Sequence, residues 1–201
     1  IAARDGSIAL LDSVVGVGLG AQAVLRPETS PCAAYREEGQ DALGSFVRLK
    51  VVYTALPALE ELVWSATLRP GAPYAVFSLS ARARPESPGP LRSLELVSLS
   101  GDPAPKFGAE REHWSCFIDS GHQSGTRVTP CFDGDAASHA TPATVMVHDT
   151  AAGQSLLLGW LSWAGANPAT QLTATKAQGL TSVSAQCSYH LDTMTQATSE
   201  P

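Results

Sequence analysis

The stretch "FVRLKVVY", residues 46–53, decides the fold class. Val47, Leu49, Val51 and Tyr53 share one side of an extended chain, while Arg48 and Lys50 point the other way. A period of two is the mark of a strand with one dry face and one wet face. "LVWSATL" repeats it with Leu62, Trp64, Ala66 and Leu68, and "YAVFSLSA" follows with Ala75, Phe77, Leu79 and Ala81 after the turn signal "RPGAP". Working outward, "GSIALL", "VVGVGLG", "ATVMVH", "SLLLGWLSW" and "SVSAQCSYH" read as further strands, separated by the breaks "RPESPGP", "SGDPAPKFG", "CFDGD" and "AGANPATQ". Helix signals are few: Pro57 interrupts "ALPALEEL", and "LRSLELVSL" suits one short helix or one strand. Many short strands with turn punctuation predict an all-β chain, an antiparallel β-sandwich with very little helix. One sandwich domain is expected over residues 1–192, with a polar tail or linker over 193–201.

Composition narrows the partners. Of 201 residues, 44% are hydrophobic and 16% charged, so the chain is globular in type. Thirteen basic against nineteen acidic side chains leave a net charge of −6, which lacks the basic footprint a phosphate backbone needs. Nucleic acid is excluded as an expected partner. No apolar run approaches the roughly 20 residues of a membrane span, so a soluble chain is expected. It begins at Ile1, which reads as a processed chain or a piece of a longer one. Homo-oligomerisation is left open.

The residues richest in chemistry lie in "CFIDSGHQSGTRVTPC", 116–131. Asp119, His122 and Ser124 are the ingredients of a catalytic triad, but consecutive loop residues rarely place a base between nucleophile and acid. His113, Cys116, His122 and Cys131 are zinc-type ligands at a spacing that matches no common zinc motif, and His139, His148 and His190 form no compact H-x-x-x-H set. No metal site and no cofactor are expected. "DGD", Asp133–Asp135, lacks the further carboxylates of a calcium loop. Asp119 and Asp149 each follow an apolar run, and a glycosidase would need such a pair face to face.

Cys116 and Cys131 are the favoured disulfide, because closing a loop of about 15 residues removes roughly 3 kcal/mol of unfolded-state entropy. The other reading is four buried thiols. A disulfide would suit an extracellular or secretory-pathway setting. Trp160 and Trp163 are three apart, hence on opposite faces of a strand. Trp163, and Trp114 beside the loop, carry flat apolar faces suited to a sugar ring or to core packing.

"DSGHQSGTRV" resembles the N-G-x-Q-S-W-S stretch in the N-terminal domain of α-galactosidase-like glycoside hydrolases of the family 36 type. "LLLGWLS" is similar to the L-x-x-G-F-L strand that follows it there, and "RPGAPYAVFSLSARA" resembles an earlier strand pair. Gly121, Gln123 and Ser124 match, whereas Ser120 stands for Asn and Gly125 for Trp. The resemblance implies a large supersandwich-like domain beside a catalytic (β/α)-barrel that bears a nucleophile and an acid/base carboxylate.

No strand–helix alternation of a barrel is present in this chain. The expectation is therefore a non-catalytic sandwich, without catalytic residues of its own, supporting or bordering the sugar site of a barrel domain or second chain. Asp119, His122, Gln123 and Trp163 are its candidate carbohydrate contacts. The alternative is a stand-alone carbohydrate-binding or adhesion module. Whether the chain is itself an enzyme is left open.

Overall fold

The computed structural model describes residues 8–9, 14–20, 24–27, 30–86, 89–100, 106–108, 111–119, 125–161 and 167–189. Their regular secondary structure is nearly all strand, and the strand ladders are antiparallel. The only helical turn among them is a 3-10 turn at Arg111–His113. The all-β, antiparallel sandwich expected from the alternation is the observed class. No helix of the described residues is long and apolar enough to cross a membrane. The contacts divide the chain into two compact units, Val15–Leu96 and Ile1–Val14 with Val97–Pro201. Each is taken by itself. The tail 193–201 lies outside the described residues.

Strands β1 (Ile8–Ala9) and β2 (Val14–Leu19) open the chain. In the unit Val15–Leu96, strands β3 (Cys32–Asp41), β4 (Gly44–Tyr53), β5 (Leu59–Leu68) and β6 (Ala75–Ala83) form one sheet in sequence order. Its register puts Val51 beside Trp64 and Trp64 beside Leu79, so the apolar sets read from the sequence do share one face. Tyr35, Lys50, Ser65 and Ser78 form a row on the other. Arg69 closes the β3–β4 turn, donating to both carboxylate oxygens of Asp41 at 2.9 and 2.6 Å and to the Gly44 carbonyl. Those bonds hold the Asp41 carboxyl below its ordinary value.

"ALPALEEL" is not helical. Ala58 adopts a φ of 63° in a turn, and β5 starts at Leu59. "LRSLELVSL" resolves as strand β7 (Leu91–Ser100).

The second unit contains β8 (Lys106–Phe107), which pairs with β1, and two larger sheets. One has the order β10-β9-β12-β13, from Thr126–Pro130, Trp114–Asp119, Thr144–Asp149 and Gln154–Gly159. The other contains β11 (Ala136–Thr141), β14 (Asn167–Thr175) and β15 (Gly179–Ser188), in the order β11-β14-β15, with β7 next. β12 approaches β11 and β14, and β9 approaches β11, so the two sheets meet as layers.

Trp114, Cys116, Ile118, Val145, Val147 and Asp149 alternate inward from one layer; Leu172, Ala174, Val183 and Ala185 answer from the other. Fully burying a leucine or valine side chain is worth about 1.5–3 kcal/mol, and this interleaved set forms the core.

Truncating a fully buried side chain in this core is expected to cost far more than truncating one outside it. Leu172→Ala should destabilise the chain by about 2–5 kcal/mol, whereas Leu157→Ala, at a residue 60% exposed, should stay within about 0.5 kcal/mol. Chemical denaturation followed by circular dichroism compares them.

Candidate functional site

β12 is the axis on which the candidate residues are placed. Asp119 pairs with Thr144 at its start, and Trp114 pairs with Asp149 at its end. At about 3.3 Å per residue the two carboxylates are separated by about 17 Å along the sheet. They also point to opposite faces, Asp119 outward and Asp149 into the core, where it is fully buried. A retaining glycosidase needs about 5 Å and an inverting one about 6.5–9.5 Å. Asp119 and Asp149 therefore do not form a glycosidase pair.

Asp149 has a structural task. Its Oδ1 accepts from the backbone N–H groups of Ala151 and Ala152 at 3.0 and 3.1 Å, shaping the turn into β13. Gly108 is packed against it: a Cβ there would lie 2.7 Å from Asp149 Oδ2 and 3.0 Å from Trp114 Nε1, at a φ of +56°. Trp114 does not offer a face to a sugar. It is 3% exposed, stacked on Phe132 at 5.9 Å and met edge-on by Phe107 at 5.1 Å. Core packing, the other sequence reading for this residue, is the observed one.

The opposite end of the same sheet holds the described bases of two of the resembling segments; the third lies on β6 of the other unit. Thr126, Asp119, Thr144 and Gly159 form one continuous row across β10-β9-β12-β13. The chain leaves that row after Asp119 toward His122 and Gln123 and returns at Thr126. It leaves the row again after Gly159 toward Trp163. His122, Gln123 and Trp163 lie outside the described residues, so the structure brings together the bases of their segments and says nothing of their side chains. The backbone carbonyl of Asp119 accepts from the Thr141 hydroxyl, which ties the turn before β12 to the same row. Strand "SLLLGWLSW" is shorter than its apolar run: β13 ends at Gly159, where a Cβ would come within 2.7 Å of Thr144 Oγ1.

The favoured cysteine pair is adjacent in space, both side chains buried as thiols without a disulfide between them. Their hydrogen bond sets the proton order. It raises Cys116 far above the ordinary thiol range, with burial adding to the rise, and lowers Cys131. Burial alone pushes Cys187 up to about 11.

Of the zinc-type set weighed from the sequence, Cys116 and Cys131 come together, and His122 lies outside the described residues. Among the described residues His113 stays exposed on its 3-10 turn, and His139 joins Cys116 and Cys131 instead. His139 arrives because β11 crosses to the facing sheet and turns Ala137, His139 and Thr141 inward. The sequence signal was that alternation in "ASHAT", hidden by small polar neighbours.

Gly108→Ala should lower stability by about 1–3 kcal/mol through the strained φ alone, and by more as the new Cβ displaces the Asp149 carboxylate. Thermal denaturation measures the loss, and Gly153→Ala, an open glycine of positive φ, controls for the backbone component. No protein-family model and no curated protein matches the chain.

Proposed function

We propose that the chain is a non-catalytic β-sandwich that borders and braces the sugar-binding site of a glycoside hydrolase resembling α-galactosidases. Bond breaking is left to a barrel domain or a second chain. The observation that supports this reading is the row Thr126–Asp119–Thr144–Gly159, from which two of the three resembling segments, the one after Asp119 and the one after Gly159, depart at one end of one sheet. Asp119 faces outward in that row, and the paired strands beneath it supply the rigidity that a ligand edge needs. The outer face of the same sheet gives a partner something to cover. Val128, Phe117, Met146 and Leu157 form an apolar row across it, with Val128 70% and Leu157 60% exposed.

A stand-alone carbohydrate-binding module is the second reading, favoured by the polar face of the β3–β6 sheet. Tyr35 is half-exposed there beside Lys50, with Arg48, Glu37 and the paired hydroxyls of Ser65 and Ser78 along a shallow groove. A flat ring beside hydrogen-bonding groups suits a sugar.

The purified chain alone should not hydrolyse an aryl α-galactoside, and activity should appear when the catalytic polypeptide is added. Val128→Asp with Leu157→Asp should prevent that association while leaving the circular dichroism spectrum unchanged. Hydrolysis by the chain alone would sink the support reading. Glycan binding without hydrolysis, abolished by Tyr35→Ala, would transfer the assignment to the binding module.

A further inference from the structure

We propose that Cys116, Cys131 and His139 form a binding site for a thiophilic closed-shell cation, Zn2+ or Cu+, which staples the two layers of the second unit. One ligand atom from each residue lies within 4.8 Å of the others. Both cysteines are buried and His139 is half-buried. Zinc–sulfur and zinc–nitrogen bonds of about 2.3 and 2.0 Å set tetrahedral donors about 3.5 Å apart, so the three side chains need only small rotations to close on an ion. Two thiolates and an imidazole are the donor set that such soft or borderline cations select.

The strand register favours a bridging ion over a direct sulfur–sulfur bond. Cys116 pairs with Thr129, and the Cys131 N–H donates to the Trp114 carbonyl at 2.9 Å, so Cys131 stands opposite Trp114 and diagonal to Cys116. Diagonal neighbours in an antiparallel pair have Cα atoms about 7–8 Å apart, whereas disulfides usually span about 4.4–6.8 Å. An ion between the sulfurs takes up that difference.

His139 is already oriented on the pair. Its Nε2 sits 2.9 Å from the Cys131 carbonyl; when Nε2–H donates there, Nδ1 keeps its lone pair. Imidazole held by a backbone carbonyl is the usual support of a metal-ligating histidine. The three donors also come from different places: Cys116 on β9, Cys131 after β10, and His139 on β11 of the facing sheet. An ion there links the base of the 116–131 hairpin to the opposite layer. Among the described residues no fourth His, Cys, Asp or Glu joins the group, leaving the fourth position of a zinc ion to water and suiting Cu+ with three donors.

The test is independent of the carbohydrate reading. The full chain, reduced and kept anaerobic, is titrated with Co2+ as the zinc probe and separately with Cu+. One equivalent should bind with thiolate-to-metal absorption, Zn2+ should displace Co2+, and the melting temperature should rise on loading. His139→Ala should weaken binding at least about tenfold, since even second-sphere losses cost about 10–100-fold, and Cys131→Ser should lower the thiolate band at saturation to about half or less, one of two thiolates being lost. Should either variant fail to fold, X-ray absorption of the loaded wild-type chain must show two sulfur donors and one imidazole. Absence of stoichiometric uptake by the reduced chain would overturn the proposal. So would uptake indifferent to His139→Ala, or, once air is admitted to the loaded chain, quantitative oxidation of Cys116 and Cys131 to a disulfide by dioxygen.

Discussion

The structure of the second unit depends on the mutual burial of two pleated faces. Ile118, Val145 and Val147 on one sheet, and Leu172, Ala174 and Val183 on the other, have no other way to leave water. Side chains alternate across a strand, so burying one face of each sheet presents the other face to solvent. Register follows from this requirement: a slip of one residue would expose Val147 and bury His148. Within this unit, the inward placement of Trp114, Cys116 and Asp149 and the outward placement of Asp119 are consequences of that register.

Inward and outward positions acquire different chemistry from it. Asp149, Trp114, Cys116 and His139 point inward and meet one another's neighbours in a dry interior, where a carboxylate must find N–H donors and thiols share protons. Asp119, Phe117, Met146 and Leu157 point outward from the same sheet. The strands at the base of residues 116–131 thus have a buried inner side, with Cys116 and Ile118, and an outer side, with Phe117 and Asp119. The two proposals concern different ends and different faces of one element.

Placement also separates two acids that composition leaves equivalent. In sequence Asp119 and Asp149 look alike, each closing an apolar run. On the sheet they occupy opposite ends of β12 and opposite faces, at a separation too large for concerted acid and nucleophile roles. The same sheet collects at one end two segments that are about forty residues apart in the chain, because β9 and β13 both flank β12.

From the sequence alone came the class and most of the apolar strands. β4, β5, β6, β12 and β15 follow runs in which alternation of large apolar residues overrides other signals. Strand β3 was not legible, since "CAAYREEGQD" is exposed on both faces and is held by backbone pairing to β4. Neither were β11 and β14. "AGANPATQ" reads as a break, yet Asn167–Thr175 is a strand whose inward residues include Thr170, a small polar side chain buried against its neighbours.

Cys116 and Cys131 were paired from the sequence as a disulfide; they are neighbours, but stand as buried thiols. The arrival of His139 was not readable, because it comes from the facing layer, and a pattern along one chain carries no information about which distant strand will lie across from it. Local periodicity determined what each segment is; only packing between sheets decided which donors meet, which acids part, and which loops share an end.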